Sequence, residues 1–99
     1  MPTFISTVKF SEKGIQEIRE TVKRAAAFKS AAKKLGVKIT GNYWTLGPFD
    51  GVIIFEAPDD ETATAAMLNL SARGNVQTST ARAFEAAAME KIVGMLAKA

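Results

Sequence analysis

The spacing of apolar positions changes period several times along this chain, and each change marks an element. Thr3 to Phe10 alternates in steps of two and is rich in β-formers, which predicts a strand; Phe4, Val8 and Phe10 share one face and Ile5 lies on the other. After Ser11, a suitable N-cap, apolar residues recur at steps of three and four: Ile15, Ile18, Val22, Ala25, Ala26, Ala32 and Leu35. With Glu12 in the first turn, Lys33 and Lys34 in the last, and Gly36 beyond, that spacing predicts one helix over 12–35. A second strand spans Val37 to Leu46, with Ile39, Gly41, Tyr43 and Thr45 on one face and Lys38, Thr40, Asn42, Trp44 and Leu46 on the other. Gly47-Pro48 breaks it. Phe49 to Ala57 is a third strand, apolar on both faces: Val52 and Ile54 on one, Ile53 and Phe55 on the other. Pro58 stops that strand, and Asp59 or Asp60 caps a second helix that buries Ala63, Ala66, Met67 and Leu70 and closes at Gly74. A polar fourth strand follows over Asn75 to Phe84, then a helix from about Glu85 to Ala97 that buries Met89, Ile92, Val93 and Leu96.

The predicted order, β-α-β-β-α-β-α over a single domain at 1–99, is α+β, and its first six elements match the ferredoxin-like split βαβ pattern. In that pattern the first and third strands are central and both main helices cover one face of an antiparallel sheet. Strands that are apolar on both sides then leave Val, Ile and Phe uncovered, and a contiguous apolar surface of that kind marks an interface. A second copy packed sheet to sheet is the expected remedy, so a homodimer is predicted. The short last helix folding over the open face is the alternative.

Composition changes this picture mainly by what it lacks. The chain has no cysteine and no histidine, which removes disulfides, thiol nucleophiles, Cys/His zinc sites, the imidazole base and the proximal haem ligand. No cofactor and no metal site is expected, and acid–base work would fall to Asp, Glu, Lys or Tyr. Charge is uneven: residues 12–38 hold eight basic groups against three acidic ones, while the whole chain carries a net +3. This reads as a solvated basic helix. Only Phe28 interleaves the charges and no nucleic-acid motif surrounds them, so no nucleic-acid partner is expected. No apolar run reaches the ~20 residues of a membrane span, and the first residues lack a signal-peptide pattern, which leads to the expectation of a cytoplasmic protein without a membrane partner.

Five residues are candidates for chemistry. Asp50, just past the turn, is a candidate general base, although an aspartate there commonly accepts backbone N–H groups. Beside it Gly51 permits close approach of a backbone or a ligand. Arg82, beside Thr78 and Thr80 on the polar strand, can bind a carboxylate or phosphate bidentately, or form a structural ion pair with Asp50 or across a dimer. Asn42, Tyr43 and Trp44 are candidate ligand contacts, with packing as the plainer role for the two aromatics. Asn75 reads as serving the turn after Gly74, and Asp59, Asp60 and Glu61 as helix-start charges.

Gly14-Ile15-Gln16-Glu17-Ile18, Lys23-Arg24, Tyr43-Trp44-Thr45-Leu46-Gly47, Phe49-Asp50, Phe55 through Glu61, Gly74 through Thr78, and Thr80-x-Arg82-Ala83-Phe84 together resemble the GYD domain proteins of bacteria and archaea over nearly the whole chain. The resemblance implies the dimeric α/β-barrel superfamily, in which two ferredoxin-like sheets close on each other, and implies no activity. Phe49 stands where the family has tyrosine, which puts in doubt any role of that hydroxyl; Val22 stands where a proline is common, which implies a straighter first helix. Asn42 and Trp44 on one face are similar to the substrate-side residues of cofactor-independent quinone-forming monooxygenases of the superfamily. The leading expectation is a homodimer that binds a small aromatic or anionic molecule in a pocket lined by Tyr43, Trp44, Asp50 and Arg82. The alternatives are a cofactor-independent isomerase, lyase or monooxygenase with Asp50 as base and Arg82 as anion anchor, and a purely structural oligomer.

Overall fold

In the computed structural model, which describes residues 1–98, the elements are β1 (Thr3–Phe10), α1 (Glu12–Gln16), a 3-10 turn (Ile18–Glu20), α2 (Thr21–Lys34), β2 (Lys38–Trp44), β3 (Gly51–Glu56), α3 (Asp60–Ser71), β4 (Val76–Ala83) and α4 (Ala86–Gly94). Of the domain expected over 1–99, Ala99 lies outside the described residues. The four strands form one antiparallel sheet in the order β2-β3-β1-β4, so β1 and β3 are central as expected and the fold is ferredoxin-like α+β. On the inner face α2 packs over β2 and α3 over β4. Phe4, Val8, Ile53 and Phe55 from the sheet meet Phe28 and Ala32 of α2 and Ala63, Ala66 and Met67 of α3 in one core. Phe4 and Phe55, paired across β1 and β3, stack with ring centroids 5.3 Å apart.

The long first helix is interrupted. Helical geometry stops at Glu17, whose φ of −106° and ψ of 29° lead into the 3-10 turn before α2 begins. The physical reason is that its two halves have different anchors. α1 is pinned to the start of β4, where a Cβ on Gly14 would collide with the Asn75 carbonyl oxygen, whereas α2 lies over β2. Arg24 spans the break and donates from Nη1 to the Glu17 carbonyl at 2.7 Å and from Nη2 to the Gly14 carbonyl at 3.4 Å. The absence of proline at Val22 therefore does not give a straight helix. The buried stripe also differs from expectation: Phe28 and Ala32 are buried, whereas Ile15 (55%) and Val22 (66%), with Ile18 and Leu35, are exposed.

A bulge changes the parity of β2. Ile39 pairs with Phe55 and Gly41 with Ile54, so Thr40 is an extra residue. Ile39 therefore faces inward together with Asn42 and Trp44, not outward with Gly41 and Tyr43 as strict alternation predicts. The connection to β3 is the six residues Thr45–Asp50, closed by Thr45 N–H on the Asp50 carbonyl and Thr45 Oγ1 on the Phe49 carbonyl at 2.7 Å; Phe49 and Asp50 thus belong to the loop.

The outer face of the sheet is uncovered, with Ile5 exposed and Val52 and Ile54 half-buried at its centre. α4 does not cover it or bury its own apolar stripe. Met89 and Val93 are 48% and 52% exposed, Leu96 is exposed, and Ile92 is only half-buried. The radius of gyration is 15.3 Å, against about 13 Å for a compact chain of this length. Likewise the accessible surface is 6913 Å² where a 10.6 kDa monomer exposes about 5,500 Å².

Two outcomes follow for stability. Gly14→Ala gains about 1 kcal/mol of helix propensity but forces backbone against backbone, and overpacking of that kind costs about 1–3 kcal/mol. A net loss in urea unfolding is expected, larger than that of Ile15→Ala. At α3, Asp59 accepts from Thr62 N–H at 2.7 Å, and the Thr62 hydroxyl and then its backbone N–H hold the Asp59 carboxyl below the usual carboxylate range. A depressed folded value means that the cap's contribution is full above the unfolded carboxyl's range and is lost as pH falls through the folded one. Asp59→Asn should therefore flatten the acid side of the stability–pH curve, with melting followed from pH 6 down to about 3.

Candidate functional site

Between α2, α3 and the sheet lies a cavity of about 80 Å³, at the end where β1 leaves the sheet and β3 enters it. Its floor is Val8, Phe10, Gly51 and Ile53; Phe28 and Leu70 close it from the two helices, and the lining is mostly apolar. The polar groups that reach it are Thr21 and Arg24 of α2, Asn69 of α3, Arg73 and Asn75 of the next turn, Asn42 and Trp44 of β2, and Asp50.

Local sequence explains each position. β3 ends at Gly51 opposite Val8, so the last two residues of β1 have no β3 partner. Asp50 takes over that role: its N–H donates to the Val8 carbonyl at 2.8 Å, and its Oδ2 accepts from Phe10 N–H at 2.8 Å. The carboxylate thus extends the ladder by one rung. Gly51 beside it leaves room for a close approach, since a Cβ there would lie 3.0 Å from the Tyr43 carbonyl oxygen. One residue beyond Phe10, Ser11 N–H donates to the Asn75 carbonyl at 2.9 Å, and the Ser11 hydroxyl both donates to the Gly74 carbonyl and accepts from Gly14 N–H. Asp50, Asn75 and Arg24 are therefore gathered around one short segment, Phe10–Gly14. On the opposite wall Trp44 Nε1 donates to Thr21 Oγ1 at 3.0 Å and ties the end of β2 to the start of α2.

Four of the five expected site residues, Asn42, Tyr43, Trp44 and Asp50, border this cavity. Tyr43 does so at the rim, since it pairs with Val52 on the outer face and its ring lies over Gly41, whose Cβ would be 3.1 Å from Tyr43 Cε2. Arg82 is elsewhere. It pairs with Phe4, six residues along β1 from Phe10, or about 20 Å at the rise of a strand. There it borders a broader, open groove between β4 and α3, donates to the Ala83 carbonyl at 2.6 Å, and lies 4.8 Å from the Phe84 ring centroid. No ion pair joins it to Asp50.

Sequence reasoning missed Arg24, Asn69 and Arg73, and gave Asn75 a turn role only. Arg24 has a readable signal: it shares a helical face with Thr21, Ala25, Phe28 and Ala31, at steps of three and four. Arg73 has none, being one of several basic residues on the surface.

An antiparallel β2-β3-β1-β4 sheet with two helices on one face and a cavity beneath them defines a small ferredoxin-like α+β domain. Residues 4–93 match the GYD domain, and the chain belongs to that family. A relative in Thermus thermophilus, the glutamine synthetase and cystathionine beta-lyase binding protein, is 34% identical over 88 residues, which cover 88% of this chain and 93% of the relative. Among solved structures, TTHA0845 of Thermus thermophilus is similar with a TM-score of 0.57 and 22% identity, covering 87% of this chain and 96% of that one. MtbAldR is similar with a TM-score of 0.65 and 15% identity over 85% of this chain, and this chain spans 53% of its length. These structural likenesses extend to the fold.

The double role of Asp50 gives a clean expectation. Asp50→Ala leaves Phe10 N–H without its acceptor and should cost about 1–3 kcal/mol in chemical denaturation; Asp50→Asn, which keeps an acceptor, should cost less.

Proposed function

We propose that this chain is a homodimeric binding protein whose partners are other proteins, metabolic enzymes among them. One observation carries the reading: the chain exposes about 1,400 Å² more surface than a compact monomer of its mass, and much of what it exposes is apolar. A specific interface of standard size covers about 800 Å² on each partner. The uncovered sheet face, centred on Ile5, Val52 and Ile54, supports pairing with a second copy, which is how the apolar outer side of β3 would be removed from water. α4 supports a different contact. It holds Met89 and Val93, one turn apart, on a helix with no buried residue. The Thermus thermophilus relative bears a name that states two enzymes as its partners, and at 34% identity over almost the full length of both chains it supports the same kind of partner here.

The cavity favours a second reading that does not compete for the same surface. A small organic anion would bind between sheet and helices, on the inner face, with Asn42, Trp44 and Asp50 among its contacts and Arg24 and Arg73 supplying positive charge.

Light scattering of the purified chain should give twice the chain mass, and Ile54→Glu should halve it. Biolayer interferometry against purified glutamine synthetase and cystathionine beta-lyase should register binding of at least one of them. The double variant Met89→Glu, Val93→Glu should weaken that binding at least ten-fold while the dimer mass stays. A wild-type chain that binds neither enzyme, or a variant that binds equally well, would remove the protein-partner reading.

A further inference from the structure

Two requirements are unmet on one wall of the cavity. Arg24 is half-buried, and neither it nor Arg73 has a carboxylate within ion-pair distance among the described residues, where the sole ion pair is Lys23–Glu20. Arg24 spends N–H groups on the Glu17 and Gly14 carbonyls and retains others of its five donors. The second requirement is that of Asn75. It is only 8% exposed, and its side-chain oxygen is buried with no hydrogen-bond partner, a condition that costs about 1–3 kcal/mol. The two are neighbours, because Gly14, whose carbonyl accepts from Arg24, packs directly on the Asn75 backbone.

We propose, resting on the cavity reading above, that the ligand is a short aliphatic monocarboxylate carrying an O–H donor beside its carboxylate: a small 2-hydroxy acid. A carboxylate answers the two guanidinium groups. The adjacent donor answers Asn75, a residue that lines the cavity and whose side-chain oxygen, shielded from solvent and unpartnered, would turn toward the ligand. Asp50 also lines the cavity, and against two arginines it leaves one positive charge uncompensated. That balance suits a monoanion and disfavours a dicarboxylate. Size narrows the class further. At about 80 Å³ the space lies well below the ~300–1,000 Å³ of pockets that take drug-sized ligands, which favours the smallest members of the class. Acids the size of propionate and lactate suit so small a space better than benzoate does. The apolar floor of Val8 and Ile53 receives the short alkyl group.

Calorimetric titration with L-lactate, L-alanine, propionate and benzoate tests this, with NMR of the Asn75 side-chain amide and the Arg24 Nε–H as the local readout. Lactate should bind and shift both signals, whereas propionate, which lacks the donor, and alanine, a zwitterion without net charge, should bind at least ten-fold more weakly. Arg73→Gln, at an exposed position, should weaken the tighter acid at least five-fold with an unchanged melting temperature of the free protein. Propionate binding as tightly as lactate would overturn the donor requirement, and alanine binding as tightly as lactate would overturn the charge requirement, each leaving the cavity reading in place. Benzoate as the preferred ligand would overturn the size class in the same way. No heat and no shift from any of the four at millimolar concentration would overturn the cavity reading itself, together with this inference.

Discussion

The structure depends on how β1 leaves the sheet. A central strand that runs past a shorter neighbour exposes N–H groups that must find acceptors, since buried backbone donors without partners are rarely tolerated. Here Phe10 N–H goes to the Asp50 carboxylate and Ser11 N–H to the Asn75 carbonyl, so the loop before β3 and the turn before β4 are both fixed by consecutive residues of one exit. Gly14 then lets α1 settle directly on Asn75. Three of the cavity's polar residues are positioned from this exit: Asp50 and Asn75 as its acceptors, and Arg24 through the carbonyl of Gly14.

The same arrangement explains why the cavity exists. Each main helix follows an edge strand, α2 over β2 and α3 over β4, so the central strands are covered between them only by what both helices can reach. Toward the Phe4 end, Phe55, Met67 and the stacked Phe4 ring pack between the helices, and the open groove there lies to one side, between α3 and β4. Toward the Phe10 end the inner positions of the sheet include Gly51 and Asn42, which supply little apolar volume, and the space stays open. The space between the helices is thus packed at one end of the sheet and open at the other, while the uncovered apolar surface lies on the opposite face.

Much of the fold was legible in the sequence. Period-two and period-three-to-four apolar spacing placed the strands and α3, and the doubly apolar β3 correctly implied a central strand with an uncovered outer side. What was not legible has a common cause: tertiary contact overrode local pattern. Ile15, Ile18 and Val22 continue a helical stripe on paper, yet the piece that carries Ile15 is docked by Gly14, the residue with the poorest propensity in it. Arg24 belongs by composition to a solvated basic face, and only the broken helix beside it turns it inward. Of the candidate site, Asn42, Trp44 and Asp50 could be found because strand parity and turn position put them near one end of the sheet. Arg82 could not be separated from them without the antiparallel register, which sets it at the far end of β1.

The bulge at Thr40 has a consequence for reading related chains. Because the side-chain period of a strand is two, one inserted residue exchanges the faces of everything on one side of it. Ile39 belongs to the core and Asn42 and Trp44 to the cavity only because the phase changes between them. A relative with one residue fewer at this point would keep a strand of the same composition while turning either its core anchor or its cavity wall to the outside. Alignment gaps at Thr40 would then sort such chains by the geometry of the inner face, in a way that overall identity does not.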